Sequence, residues 1–160
     1  MRPWLGQTNH KLYQARLVLD KARHCSDDAV LQDALETSAL YLTHDAYISY
    51  LNELYELAGG SLMVSSLDEA MEQTRLIIGE MRELDSLRRD SFGWLATLLR
   101  QVEECRRPQQ SKPRATEPAP AKLITLAAVS DNTERGEEIA GWRQSLSDLI
   151  DRQRENRQES

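Results

Sequence analysis

The stretch 28–58 limits the fold more than any other part of the chain. Leu31, Leu35, Leu42, Leu51, Leu54 and Ala58 fall on one face of a helix. Tyr41, Ile48 and Tyr55 fall on a second, and Tyr47 and Tyr50 widen the apolar arc. A helix apolar around so much of its circumference is stable only when other elements surround it, so the remaining chain must supply the neighbours. The segment ends at "AGG" (58–60), where glycine takes the left-handed cap at low cost.

Three further amphipathic segments precede Pro108. In the first, Leu12, Ala15, Leu19 and Ala22 repeat at i, i+3, i+7 and i+10, with Thr8 or Asn9 as its cap. "CSDD" (25–28) breaks it, and Ser26 or Asp27 caps the next segment. In the third, Leu67, Ala70, Met71, Thr74, Ile77, Ile78, Met81 and Leu84 form one stripe behind a Ser66–Glu69 capping box. The fourth begins near Asp90 and points Phe92, Leu95, Leu98, Leu99 and Val102 inward. "DSLRRD" (85–90) reads equally as a turn or as helix. Four such helices with short connections predict an all-α, antiparallel four-helix bundle. In that topology the first and fourth helices run in opposite directions. Cys25 and Cys105 would then lie on the order of 25 Å apart at 1.5 Å of rise per residue, without an internal disulfide.

"PQQSKPRATEPAPA" (108–121) holds four prolines and no large apolar residue, the composition of a semi-extended linker. An apolar island follows, with Leu123, Ile124, Leu126 and Val129, and reads as a short extended segment. A final helix capped at 131–133 carries the stripe Ile139, Trp142, Leu146, Leu149 and Ile150. An isolated helix of this length is marginal in water and needs a surface to cover it. The expected organisation is a helical bundle over 1–106, a linker over 107–121, and a tail over 122–160. Leu123, Ile124, Leu126, Ile139, Trp142, Leu146 and Leu149 are its candidate docking residues, on the protein's own bundle or on a partner.

Composition narrows the function classes. Residues 1–106 carry 17 Asp+Glu against 11 Lys+Arg within a total net charge of -6, which disfavours nucleic-acid binding. Mean hydropathy is -0.60, and no apolar run approaches the roughly 20 residues that span a bilayer. The start of the chain turns polar by Gln7, so no signal-peptide core is expected and a cytoplasmic location follows. The tail's mixed charge argues against a membrane-surface role. The two cysteines show no metal or redox spacing.

Catalytic patterns find little support. Di-iron bundles need Glu-x-x-His, but the residues three before His10, His24 and His44 are Gln7, Lys21 and Tyr41. No metal and no cofactor are therefore expected. Arg2, Arg16 and Arg23 precede histidines at spacings unlike the arginine–histidine motif of small helical nucleases, and no nucleophile elbow or phosphate loop is present. His44, beside Asp45 and one turn from Tyr41, is the one alternative site, for a small ligand or a nucleotide-processing reaction.

The stretches "TNHKLYQARLVL" (8–19), "LETSALYLTHDAYISYLNELYELAG" (35–59), "LITLAAV" (123–129) and "WRQSLSDLIDRQRE" (142–155) resemble an uncharacterised family of small helical proteins from Pseudomonas and related gammaproteobacteria, a domain of unknown function. The resemblance implies that island and tail belong to the protein's normal form. It supplies no catalytic residue. The expected function is a non-enzymatic interaction or scaffold protein acting on a protein partner or on itself.

Overall fold

The computed structural model describes residues 2–108 and 121–160, with side chains described for 2–108 and 134–160. Among these residues six helices follow one another: α1 (Pro3–Arg23), α2 (Ala29–Leu57), α3 (Leu67–Gln73), α4 (Gly79–Arg89), α5 (Trp94–Arg106) and α6 (Ala121–Glu159). Among the described residues there is no strand, and no helix is long and apolar enough to cross a membrane. The expected linker falls mostly on 109–120, outside the described residues.

Local signals account for most of the boundaries. α1 starts earlier than its apolar repeat suggested, because Pro3 at the first helical turn is pre-organised for a helix. Thr8 therefore does not cap. It is buried in the helix and its hydroxyl donates to the Trp4 carbonyl at 2.8 Å. Asp28, rather than Ser26 or Asp27, caps α2 by accepting from the Leu31 amide at 3.0 Å. α2 closes with Gly59 at φ 89, while the Gly60 amide donates to the Tyr55 carbonyl at 2.8 Å and that of Gly59 to Glu56 at 3.0 Å. These are the two bonds of a Schellman cap. Ser66 caps α3 through the Glu69 amide at 3.1 Å, but the Glu69 carboxylate reaches back to Ser65, at 2.7 Å from both its amide and its hydroxyl.

Three expectations fail here for physical reasons. The stripe from Leu67 to Leu84 belongs to two helices. The backbone is extended at Thr74 (ψ 144) and at Ile78 (ψ 159), before a glycine that is a poor helix former. Each half still buries its share of the stripe, Leu67 and Ala70 in α3 and Met81 and Leu84 in α4. The helix continues through 85–89, and the turn that follows leaves Phe92 99 % exposed rather than inward. The island is also not extended, since α6 is continuous from Ala121. A segment rich in alanine and leucine adds residues to an existing helix at one hydrogen bond each, without a second nucleation cost.

The extra reversal at 74–78 changes direction downstream. The Gln32 side chain donates to the Ala22 carbonyl at 3.2 Å, so α1 ends beside the start of α2. Arg135 bonds Asp33, Thr37 and the Cys105 sulfur together, so α5 ends there too. Cys25 and Cys105 thus belong to the same end of the molecule, contrary to the four-helix count. Both are free thiols. α6 runs alongside α2 in the same direction, with Arg135 at Asp33 and Arg154 at Glu53.

α2 is the centre. Every residue from Ser49 to Tyr55 is buried, whereas Leu31 on the expected face is 43 % exposed. A methyl group at Gly60 would lie 2.3–2.5 Å from the ring of Tyr55, which is itself buried and bonded to Gln73. Gly60→Ala should therefore destabilise the fold by about 1–3 kcal/mol, read as a lower urea midpoint. An unchanged midpoint would show that the ring moves aside freely.

Candidate functional site

Ile139, Trp142, Leu146, Leu149 and Ile150 repeat at helical spacing and all join the hydrophobic core, with Trp142 the most exposed at 9 %. Tryptophan buries a large apolar surface and dominates such contacts. The second half of the tail is thus seated on its own chain. Leu123, Ile124 and Leu126 lie in the first turns of α6, and their side chains fall outside the described residues.

Charge completes the attachment at the far end of α2. Glu53 is 4 % exposed and takes a two-pronged contact from Arg154, Nε to Oε1 at 3.1 Å and Nη2 to Oε2 at 2.7 Å. Arg154 also donates to Asn9 on α1 at 2.8 Å, and Arg157 approaches Glu53 and Glu80 at 3.6 Å each. Nearby, the Tyr50 hydroxyl donates to Gln153 at 2.6 Å, and Gln153 donates to Glu83, which also pairs with Arg152. Helices α1, α2, α4 and α6 meet in this network. Among the described residues, the tail cations that reach other helices are these and Arg135, while Arg143 bonds its neighbour Gln144.

The other end of α2 is built differently. Glu36 is 1 % exposed, and its Oε2 has no hydrogen-bond partner among the described residues. Gln32, one turn earlier, is 4 % exposed; its amide nitrogen donates to the Ala22 carbonyl, but its Oε1 is also without a partner among the described residues. Both line a cavity of about 220 Å³ with Leu19, Ala22, Arg23 and Glu137. Gly136 crosses closely, since a Cβ there would sit 2.8 Å from Glu36 Oε1. Burial pushes the Glu36 carboxyl up to about 7, with Arg135 drawing it down and Asp33 raising it.

The alternative site separates into two faces. Asp45 turns to Lys11 on α1 at 3.5 Å. His44 lies 6.2 Å from the Tyr47 ring, and its Nδ1 is buried without a partner among the described residues. Burial lowers its pKa, and Arg106 lowers it further. Tyr41 lies 5.8 Å under the Arg106 guanidinium. Tyr41 and His44 thus share the charged end of α5, and Asp45 does not. Among the described residues no group of three His, Cys, Asp or Glu is placed to hold a metal ion.

The polar groups of α2 that matter most, Gln32, Glu36 and Glu53, are absent from the sequence-based candidates. A signal existed. Gln32, Glu36, Ala39, Leu40, Thr43, Tyr47 and Tyr50 repeat at i, i+4, i+7, i+8, i+11, i+15 and i+18, a buried stripe with polar members. Faces drawn from apolar spacing pass over Gln32, Glu36 and Glu53 because their side chains are polar.

Two measurements check this geometry. Arg154→Ala leaves a buried carboxylate without its partner and should cost about 3–5 kcal/mol of unfolding free energy. Arg135→Ala, whose partner Asp33 is 58 % exposed, should cost about 1 kcal/mol or less. Equal costs would contradict the burial assigned to Glu53. For Glu36 the folded state holds its proton more tightly than the unfolded chain. The associated stability is fully present below pH ~4.5 and is lost as pH rises to about 7. Relative to Glu36→Gln, the wild type should lose on the order of 3 kcal/mol across that window; parallel pH profiles would refute it.

No curated protein and no solved structure matches this chain. The chain belongs to DUF6586, a family of unknown function whose model matches residues 1–160.

Proposed function

We propose that the protein is a non-enzymatic interaction module that self-associates through the first turns of its tail helix. In this reading α1, α2, α5 and α6 act as a four-helix bundle, and the apolar residues Leu123, Ile124 and Leu126 provide the contact surface. The observation that carries it is the way α6 is held. Among the residues whose side chains are described, its buried stripe and its ion pairs with α2 run from Arg135 to Arg154, while the helix begins at Ala121. The apolar turns upstream are therefore attached to a firmly seated helix rather than to a free tail. Residues 121–129 carry one lysine and no acid, so an equally apolar surface suits them, and a second copy supplies one. Two-fold dimers are also the commonest soluble assembly.

Light scattering of the full chain tests the reading. The wild type should run as a dimer or larger, and the triple variant Leu123→Ser, Ile124→Ser, Leu126→Ser should be monomeric with an unchanged melting temperature. Trp142→Ala should instead lose about 3–5 kcal/mol of stability. A wild type that stays monomeric at concentrations on the order of 100 μM (about 5.5 kcal/mol of association free energy) would sink the proposal. A triple variant that melts early without any change in mass would assign these residues to the core.

A further inference from the structure

The network around Glu53 leaves two opposite charges over. At that end of α2 two adjoining cavities, of about 320 and 400 Å³, share Arg2, Glu53 and Leu57 as walls. Most of the charge around them is matched within the chain. Glu53 takes Arg154, and Arg157 stands between Glu53 and Glu80. Arg2 and Glu56 are the exceptions. Both line the smaller cavity and both are exposed, yet the side chain of neither makes a hydrogen bond or an ion pair among the described residues. They share one cavity and stand too far apart to pair with each other.

We infer that this cleft binds a small apolar amino acid as its zwitterion, with the carboxylate on Arg2 and Arg157 and the ammonium group on Glu56. A guanidinium presents a fork of donors that fits a carboxylate, and an ammonium has three donors and no acceptor. The donors this needs are open. Arg157 meets Glu53 and Glu80 only at 3.6 Å each, longer than an ordinary hydrogen bond. Its Nη1 makes no bond among the described residues and keeps accessible surface. Arg2 belongs to both cavities, so a carboxylate held by it and Arg157 in the larger one lies beside Glu56 in the smaller one. Leu5 lines the larger cavity, and Leu57, 40 % exposed, lines both, which gives an alkyl side chain its apolar surface. A bare anion would leave Glu56 unanswered, and a bare amine would meet three guanidinium groups. A ligand carrying both charges on one small frame answers both free residues. The two volumes sit at the low end of the roughly 300–1,000 Å³ of ligand sites, so the ligand has few heavy atoms.

The test is titration of the full chain with L-leucine at pH 7, followed by amide NMR. Leucine should bind with a Kd on the order of 1 mM, shifting the resonances of residues 4–6, 56–58 and 157–158. 4-Methylpentanoate, which lacks the ammonium group, and 3-methylbutylamine, which lacks the carboxylate, should each bind at least about tenfold more weakly. Arg2→Gln and Glu56→Gln should each weaken leucine binding about tenfold, with an unchanged melting temperature because both residues are exposed. In Glu56→Gln, leucine should also lose its advantage over 4-methylpentanoate. Unchanged leucine affinity in either variant, equal binding of leucine and 4-methylpentanoate by the wild type, or no shift at these residues would each overturn the proposal. None of these readouts depends on self-association, so the two proposals fail separately.

Discussion

The enclosure of α2 is the condition on which the rest of the structure depends. Seven consecutive residues, Ser49 to Tyr55, are buried around the full helix, and no single neighbour can cover them. α1 covers one side, and α3, α4, α5 and α6 cover the remainder. The tail helix is therefore part of the core. Ile139, Leu146 and Ile150 are as buried as Leu51 and Leu54, and without them the apolar middle of α2 would face water. Burial of an aliphatic side chain contributes about 1.5–3 kcal/mol, against a total stability of about 5–15 kcal/mol for a domain. Losing the tail stripe would then exhaust the margin.

Enclosure also sets the electrostatics. A carboxylate taken out of water needs a cation or a proton. At Glu53 the chain supplies a cation, which ties together α1, α2 and α6 and stabilises the direction of the tail. At Glu36 burial favours the proton instead. The same helix thus treats two like residues in opposite ways because different residues of α6 cross it, arginine at one end and glycine at the other.

The short helices α3 and α4 decide the route of the chain. Asn52 both donates to the Val64 carbonyl and accepts from its amide, at 2.9 and 2.8 Å, which holds the loop before α3 on α2. The break at 74–78 then frees α4 to reach α6 through Glu80 and Glu83. Because this connection contains one more reversal than an amphipathic stripe reveals, α5 runs in the same sense as α1. Both cysteines consequently come to one end, and Tyr41 and His44 face the end of α5 while Asp45 faces α1.

Helical periodicity by itself determined that the chain is all-α, where α1 and α2 are apolar, where glycine closes α2 and which tail residues seek cover, because these depend on interactions within a few residues. It also located the Trp142 stripe, whose spacing is local. The tertiary structure alone decided which surface covers that stripe, where the third helix breaks, and that polar Glu36 and Glu53 lie inside. The reason is physical. Spacing along a helix defines a face, but the partner of that face depends on residues a hundred positions away, and a carboxylate's state follows from whether that distant segment brings a guanidinium or an empty space.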